Sequence, residues 1–197
     1  MESISLSYFV DFVLTHGTSR ITSAHHIKMG PDERYSDFYK PVRETIVDMH
    51  RKGLDTRVLS DLIGSLTDPR EKRIFPKVVI GYSRFLRGFH KITWFEPPFV
   101  EHDLGDIKVR VNPELGLILD GQPHAIKLYC RGEPLTSQRA ALINELQSRA
   151  LAETWPNTKF AVLDVRRSRL FYRNPKAGMT RLLRAEAASL ASLLQTG

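Results

Sequence analysis

Residues Ile107 to Arg131, IKVRVNPELGLILDGQPHAIKLYCR, decide how the rest of the chain is read. Lys108 and Arg110 alternate with Ile107, Val109 and Val111, the period-two pattern of a strand with one wet and one dry face. Asn112-Pro113 interrupts that run, and Leu115 to Leu119 resumes it. Asp120-Gly121 is a hairpin signal, because both residues tolerate the positive φ of a tight two-residue turn. His124 to Cys130 follows, with Ala125 or Ile126, Leu128 and Cys130 available to pack. The expected structure is a meander of short strands joined by tight turns.

Downstream of Gly132-Glu133-Pro134, Thr136 or Ser137 is placed to cap a helix over about 137 to 153, with Ala140, Ala141, Ile143, Leu146, Ala150 and Leu151 as its apolar positions. Lys159 to Val165 (KFAVLDV) is the near-continuous apolar run of a strand buried on both faces. Arg169 to Tyr172 predicts another strand, and Thr180 to Leu194 a final helix rich in Ala and Leu. From Lys159 onward eight Lys and Arg face two acids, which gathers a basic patch around Arg166, Arg167, Arg169, Arg173, Lys176, Arg181 and Arg184.

Upstream, residues 1 to 92 read as all-helical. Ser5 or Ser7 caps a helix through Leu14 that Gly17 ends, and Thr18 or Ser19 starts a second toward Lys28. After a loop from Met29 to Ser36, Ser36 caps a helix to Arg51, with Pro41 in its first turns and Gly53 at its close. Its Phe38, Val42, Ile46 and Met49 make one buried stripe. Asp55 caps a shorter helix, and Asp68-Pro69 starts the next, over about 69 to 90. On that helix Arg70, Arg73, Lys77, Arg84, Arg87 and Lys91 fall within an arc of about 100°. Ile74, Phe75, Val78, Val79, Tyr82, Phe85, Leu86 and Phe89 take a separate face. Pro76 is expected to kink or split it.

The segment ITWFEPPFVEHDLGD, with one short strand at Ile92 to Phe95, reads as a connector. The fold class expected is α+β: a helical bundle over 1 to 92, then a small mixed-sheet domain over 93 to 197 with helices flanking the central meander.

The 197 residues are 42% hydrophobic, with two Trp, ten Phe and six Tyr, enough for a substantial core. A single cysteine, Cys130, excludes an intramolecular disulfide framework and a multi-cysteine metal site, and suits a reducing cytoplasm. Set in an apolar strand, it reads as a buried, inert thiol. No apolar run approaches the roughly 20 residues that span a bilayer, and Glu2 and Asp11 argue against a secretory leader. The expected setting is soluble and cytoplasmic, with no membrane partner. Lys plus Arg exceed Asp plus Glu by 29 to 22, a net charge of +7 that favours a polyanionic partner, nucleic acid first.

In order of elements, helix, three strands, helix and buried strand, the chain resembles the core of the PD-(D/E)xK nuclease superfamily over about residues 105 to 165. Pro113-Glu114 stands where that family has Pro-Asp at the head of its second strand, and Lys127 where it has its lysine. The resemblance implies Mg²⁺ held by Glu114 and a second acid, with Lys127 positioning or activating the attacking water. Ala125 occupies the place of the second carboxylate, so Asp120 or Glu133 would have to reach back, or His124 substitute. The resemblance thus implies a restriction-endonuclease-like core whose metal site is incomplete. Taken residue by residue, Glu114 reads first as a turn residue and Lys127 as a solvent-facing strand residue.

The pair His25-His26 points about 100° apart on a helix and has no third ligand, so it reads as surface histidine. No Gly-rich phosphate loop, GxSxG or HExxH is present, and no helix-turn-helix with a polar recognition helix. Three functional expectations follow. The first is sequence-tolerant nucleic-acid binding by Arg70, Arg73, Lys77, Arg84, Arg87, Arg166, Arg167 and Arg169 on a core with impaired catalysis. The second is Mg²⁺-dependent phosphodiester cleavage with Glu114 and Lys127 as catalytic residues and Glu114 and Asp120 on the metal. The third is a protein-interaction module whose charge serves solubility.

Overall fold

The structure, a computed structural model, describes residues 3–29 and 38–195. The chain begins with β1 (Ser3–Ser5), α1 (Leu6–Val13), α2 (Ser19–Lys28), α3 (Lys40–Arg51), α4 (Arg57–Ser65) and α5 (Pro69–Leu86). It continues with β2 (Ile92–Trp94), β3 (Val100–Asp103), β4 (Lys108–Val111), β5 (Leu115–Leu119) and β6 (Gln122–Tyr129). Then come α6 (Ser137–Leu151), β7 (Lys159–Asp164), a 3₁₀ turn (Val165–Arg167), β8 (Arg169–Tyr172) and α7 (Met179–Gln195). The α+β class holds. Among the described residues, no helix is long and apolar enough to cross a membrane.

The strands form two sheets, a five-stranded one in the order β2-β5-β6-β7-β8 and a three-stranded one in the order β1-β4-β3. The expected Asp120-Gly121 hairpin is present, with positive φ at both residues (46° and 88°), and it joins β5 to β6 antiparallel. Helix α6 carries the chain from β6 to a parallel β7, and β8 returns antiparallel.

The meander expected over 107 to 131 is not continuous. β4 pairs with β1 and β3 in the smaller sheet, while β5 pairs with β2 and β6 in the larger. Pro113 has no N–H to donate to a ladder, and the Lys127 amine binds the Asn112 carbonyl at 3.0 Å and its side-chain oxygen at 3.3 Å. The segment is thereby held as a passage between sheets rather than a turn. Within the connector, β3 adds a strand that its mixed composition did not announce.

The expectation of an all-helical first half also needs correcting, because β1 lies parallel to β4. Nor is there a seam at 92/93. One core combines Val42, Ile46, Leu59, Phe75 and Tyr82 with Leu115, Leu117, Ile126 and Leu163. The other combines Phe9, Val10 and Phe12 with Val109, Ala125, Ile143, Val162 and Leu190. Each amphipathic helix of the first half has one apolar stripe and needs a sheet face to cover it. The period-two alternation of β6 and β7 supplies both faces, with Ile126 and Leu163 on one side and Ala125 and Val162 on the other.

Caps follow the sequence closely. Ser5 accepts from the Tyr8 amide, Asp68 from the Arg70 and Glu71 amides, and Thr136 from the Arg139 amide. Gly53 closes α3 with a φ of 61°, and Pro41 lies in its first turn. The cap expected at Ser36 lies outside the described residues. Pro76 does not split α5, which runs unbroken from Pro69 to Leu86. The carbonyl it leaves without a partner belongs to exposed Lys72, where water can satisfy it.

Candidate functional site

The register that sets Leu115 against Ile126 brings Glu114 opposite Lys127 on the same face of the larger sheet. Lys127 Nζ donates to Glu114 Oε1 at 2.6 Å, and the Leu128 amide donates to Oε2 at 2.8 Å. With Asn112 as further acceptor, the ammonium has its hydrogen-bonding capacity met. Arg43 Nε adds a second cation 3.9 Å from Oε1. The side chains of the pair are only 9% (Lys127) and 15% (Glu114) exposed. The two expected catalytic residues are therefore together, and each is engaged by the other.

The space a second carboxylate would need is filled. Ala125 is fully buried. Across from it is Gly116, where a Cβ would lie 2.2 Å from the Phe95 carbonyl oxygen and 3.0 Å from the Phe95 ring. That ring stacks on Trp155 with centroids 5.6 Å apart. Asp120, the other expected metal ligand, is at the far end of β5, roughly 20 Å along the strand from Glu114. It is used there as a clamp, Oδ1 accepting from the His90 amide at 2.9 Å and the Lys91 amide at 2.8 Å. Among the described residues, no three His, Cys, Asp or Glu side chains converge. Mg²⁺ asks for near-octahedral oxygen ligation, and one carboxylate already bound by an ammonium does not fit it.

His124 is likewise in use. Its Nδ1 pairs with the Gln122 carbonyl at 2.8 Å and its Nε2 with the Tyr172 hydroxyl at 3.3 Å, and burial lowers its pKa. In the other core the Tyr82 hydroxyl lies 2.6 Å from His50 Nε2, and burial pushes His50 down to about 4.

The basic residues behave differently. Arg70, Arg73, Lys77, Arg84 and Arg87 are all exposed along α5, and none enters an ion pair among the described residues. Arg70 is steadied by the Phe38 ring, its guanidinium carbon 4.4 Å from the centroid. The second cluster, some eighty residues on in sequence, is seated directly on this helix. Ser168 Oγ donates to the Gly81 carbonyl at 2.6 Å, and a Cβ on Gly81 would lie 2.2 Å from the Val165 oxygen and 2.7 Å from Arg166 Cα. Only a residue without a side chain lets the turn approach so closely.

Within the turn, Arg166 is half-buried, donating to the Tyr39 hydroxyl at 3.3 Å with its guanidinium 6.0 Å from that ring. Arg167 is held by the Gly132 carbonyl at 2.9 Å and by the buried Asp164 carboxylate at 3.4 Å, which offsets its charge. Arg169 is exposed, over the Phe171 ring at 4.6 Å. The turn thus brings Arg166 against the α5 face with Arg167 neutralised by Asp164, whereas Arg169, on the same side of β8 as Phe171, projects from the opposite face of the sheet.

The chain matches no family model, no curated protein and no solved structure. Its chemistry has to be read from its own side chains.

Sequence reasoning passed over the polar side of α6. Asn144, Glu145 and Gln147 are buried on a helix taken for its apolar positions. Asn144 donates to the Phe171 carbonyl at 2.7 Å, Gln147 to the Ala161 carbonyl at 3.3 Å, and Glu145 binds Arg149 and Arg173. The signal was available: Asn144 and Gln147 follow Ala140 at helical spacings of four and seven, on the face that packs.

Proposed function

We propose that this chain binds the phosphate backbone of nucleic acid without reading base sequence, through α5 and the turn that follows β7, on a nuclease-like core impaired in cleavage. The observation that carries this reading is the row of exposed cations along α5, beside which the seating of the Val165–Arg167 turn on Gly81 sets Arg166. Arg70, Arg73, Lys77, Arg84 and Arg87 are exposed there without a carboxylate partner among the described residues, and Arg169 adds a cation on the opposite face of the sheet. Spaced cations of this kind neutralise phosphates and carry no base information. The nuclease-like part of the reading draws support from the order β2-β5-β6-β7, antiparallel, antiparallel and parallel, with α6 between the last two. In it β2 takes the place given to β4 from sequence. Impaired cleavage follows from Glu114 and Lys127 binding each other while Ala125 supplies no second acid.

The test is fluorescence anisotropy with duplex and single-stranded oligonucleotides over a salt series. If the five α5 cations meet phosphates, log K falls with log salt at a slope of about −4.5 on duplex DNA, and Arg73→Glu with Arg84→Glu abolishes binding. Absent binding at low salt, or binding indifferent to those changes, removes the proposal. Metal-dependent cleavage that disappears in Glu114→Ala would restore a catalytic role. Ile80, 56% exposed in the middle of the ridge, favours a second reading, an acidic protein partner with an apolar contact. Ile80→Ser separates the two, since phosphate binding does not depend on that side chain.

A further inference from the structure

At the other end of β7 from the basic turn, a cavity of about 430 Å³ is lined by Ser148, Ala152, Thr158, Lys159, Phe160, Tyr172 and Arg173. Its volume lies within the roughly 300–1,000 Å³ of small-molecule sites. Its chemistry is one-sided. Two cations and several hydroxyls border it, Phe160 and Ala152 give an apolar wall, and no carboxylate is among the lining residues.

Arg173 is set there by a buried anchor. Glu145, its side chain 5% exposed, accepts from Arg149 Nε at 2.7 Å on one oxygen and from Arg173 Nε at 3.1 Å on the other. Both arginines spend Nε on this one carboxylate. Their terminal nitrogens have no hydrogen-bond partner among the described residues and remain available. A guanidinium fixed through Nε presents its two terminal N–H groups as a fork, the geometry that takes phosphate bidentately. Lys159 is exposed and enters no ion pair among the described residues.

We infer that this cavity binds a phosphate monoester of mononucleotide size, with the phosphate on the Arg173 fork, the organic part against Phe160 and Ala152, and Lys159 as a cation at the rim, on the side of β7 that carries His124. The site does not rest on the α5 surface, from which the length of β7 separates it.

Isothermal titration of the intact protein tests the inference, with adenosine monophosphate, inorganic phosphate and adenosine as probes. Saturable binding of the monophosphate, weaker binding of phosphate and none of adenosine is expected. Arg173→Gln should weaken the monophosphate about tenfold or more, and Lys159→Gln, removing a cation at the rim, about threefold. Because Arg173→Gln loosens Glu145, Lys159→Gln, at an exposed and unpaired side chain, keeps the test independent of folding. Competition by a 5′-phosphorylated oligonucleotide would identify a strand end rather than a free nucleotide as the source of the same chemistry. No saturable binding of the monophosphate, or affinity unchanged in both variants, overturns the inference. The Arg73→Glu with Arg84→Glu protein should retain this binding, which separates its failure from that of the nucleic-acid reading.

Discussion

The Glu114–Lys127 pair and the α5 face are two charged regions with opposite fates. The first looks like chemistry in the sequence and is structure in the fold: carboxylate, ammonium, an amide and a carbonyl close on one another at 2.6 to 3.0 Å. The second is a row of cations along one helix, Arg70, Arg73, Lys77, Arg84 and Arg87, which keep no acidic partner among the described residues and beside which the fold seats the Arg166 turn. Charge that has found its counter-charge inside a protein holds the protein together. Charge left exposed and unpaired is free to meet a ligand.

The sharpest way to break this contrast is to remove one member of the buried pair. Lys127→Ala or Glu114→Ala leaves an uncompensated buried charge and should cost about 3–5 kcal/mol in urea unfolding, whereas Glu114→Leu with Lys127→Met should be close to neutral. A small effect of the single changes would mean the pair is not structural. Gly81→Ala comes next. Its Cβ would meet the Val165 oxygen at 2.2 Å, and the forced shift should cost about 1–3 kcal/mol. It should also weaken nucleic-acid binding, because Arg166 is lifted from α5 with the turn; unchanged affinity would show that Arg166 does not act with the ridge.

The His50–Tyr82 contact lies in the core beneath the basic face and extends the contrast to an uncharged buried pair. Burial depresses His50 from 6.5 to about 4. Between those values the unfolded chain takes up a proton that the folded chain refuses. Stability is therefore full above the unfolded pKa and falls as pH drops, by about 1.4 kcal/mol near pH 5.5. Urea midpoints across that range should flatten in His50→Asn. The smallest effects belong to single ridge cations. Arg73→Ala, Lys77→Ala or Arg84→Ala should leave unfolding within about 0.5 kcal/mol of wild type and reduce the salt slope by about 1 each. A ridge change that unfolds the protein, or leaves the slope as it was, would place those cations with the buried pair.

The candidate site was half legible. Glu114 and Lys127 were found by their place at strand heads and along a strand. Their mutual engagement was not, because it depends on the Leu115–Ile126 register and on Asn112 turning its carbonyl toward the amine. Asp120 was read correctly as a hairpin residue and wrongly as a ligand candidate. A hairpin tip is local information; its separation from Glu114 by the length of β5 is a consequence of pairing. Arg173 stood in a basic patch in sequence, and only Glu145, twenty-eight residues away and hidden on α6, turns it into a fork.

By itself the sequence determined what short-range physics controls. Helix stripes at three- and four-residue spacing, caps at Ser5, Asp68 and Thr136, the Asp120-Gly121 hairpin and the alternation of the strands all arise within a few residues. Tertiary structure decided which strand pairs with which, that both halves of the chain share two cores, and which charges are matched and which left free. Those outcomes turn on groups distant in sequence reaching within a few ångströms of each other. Hydrogen bonds and packing act at that range, and residue patterns along the chain carry no record of it.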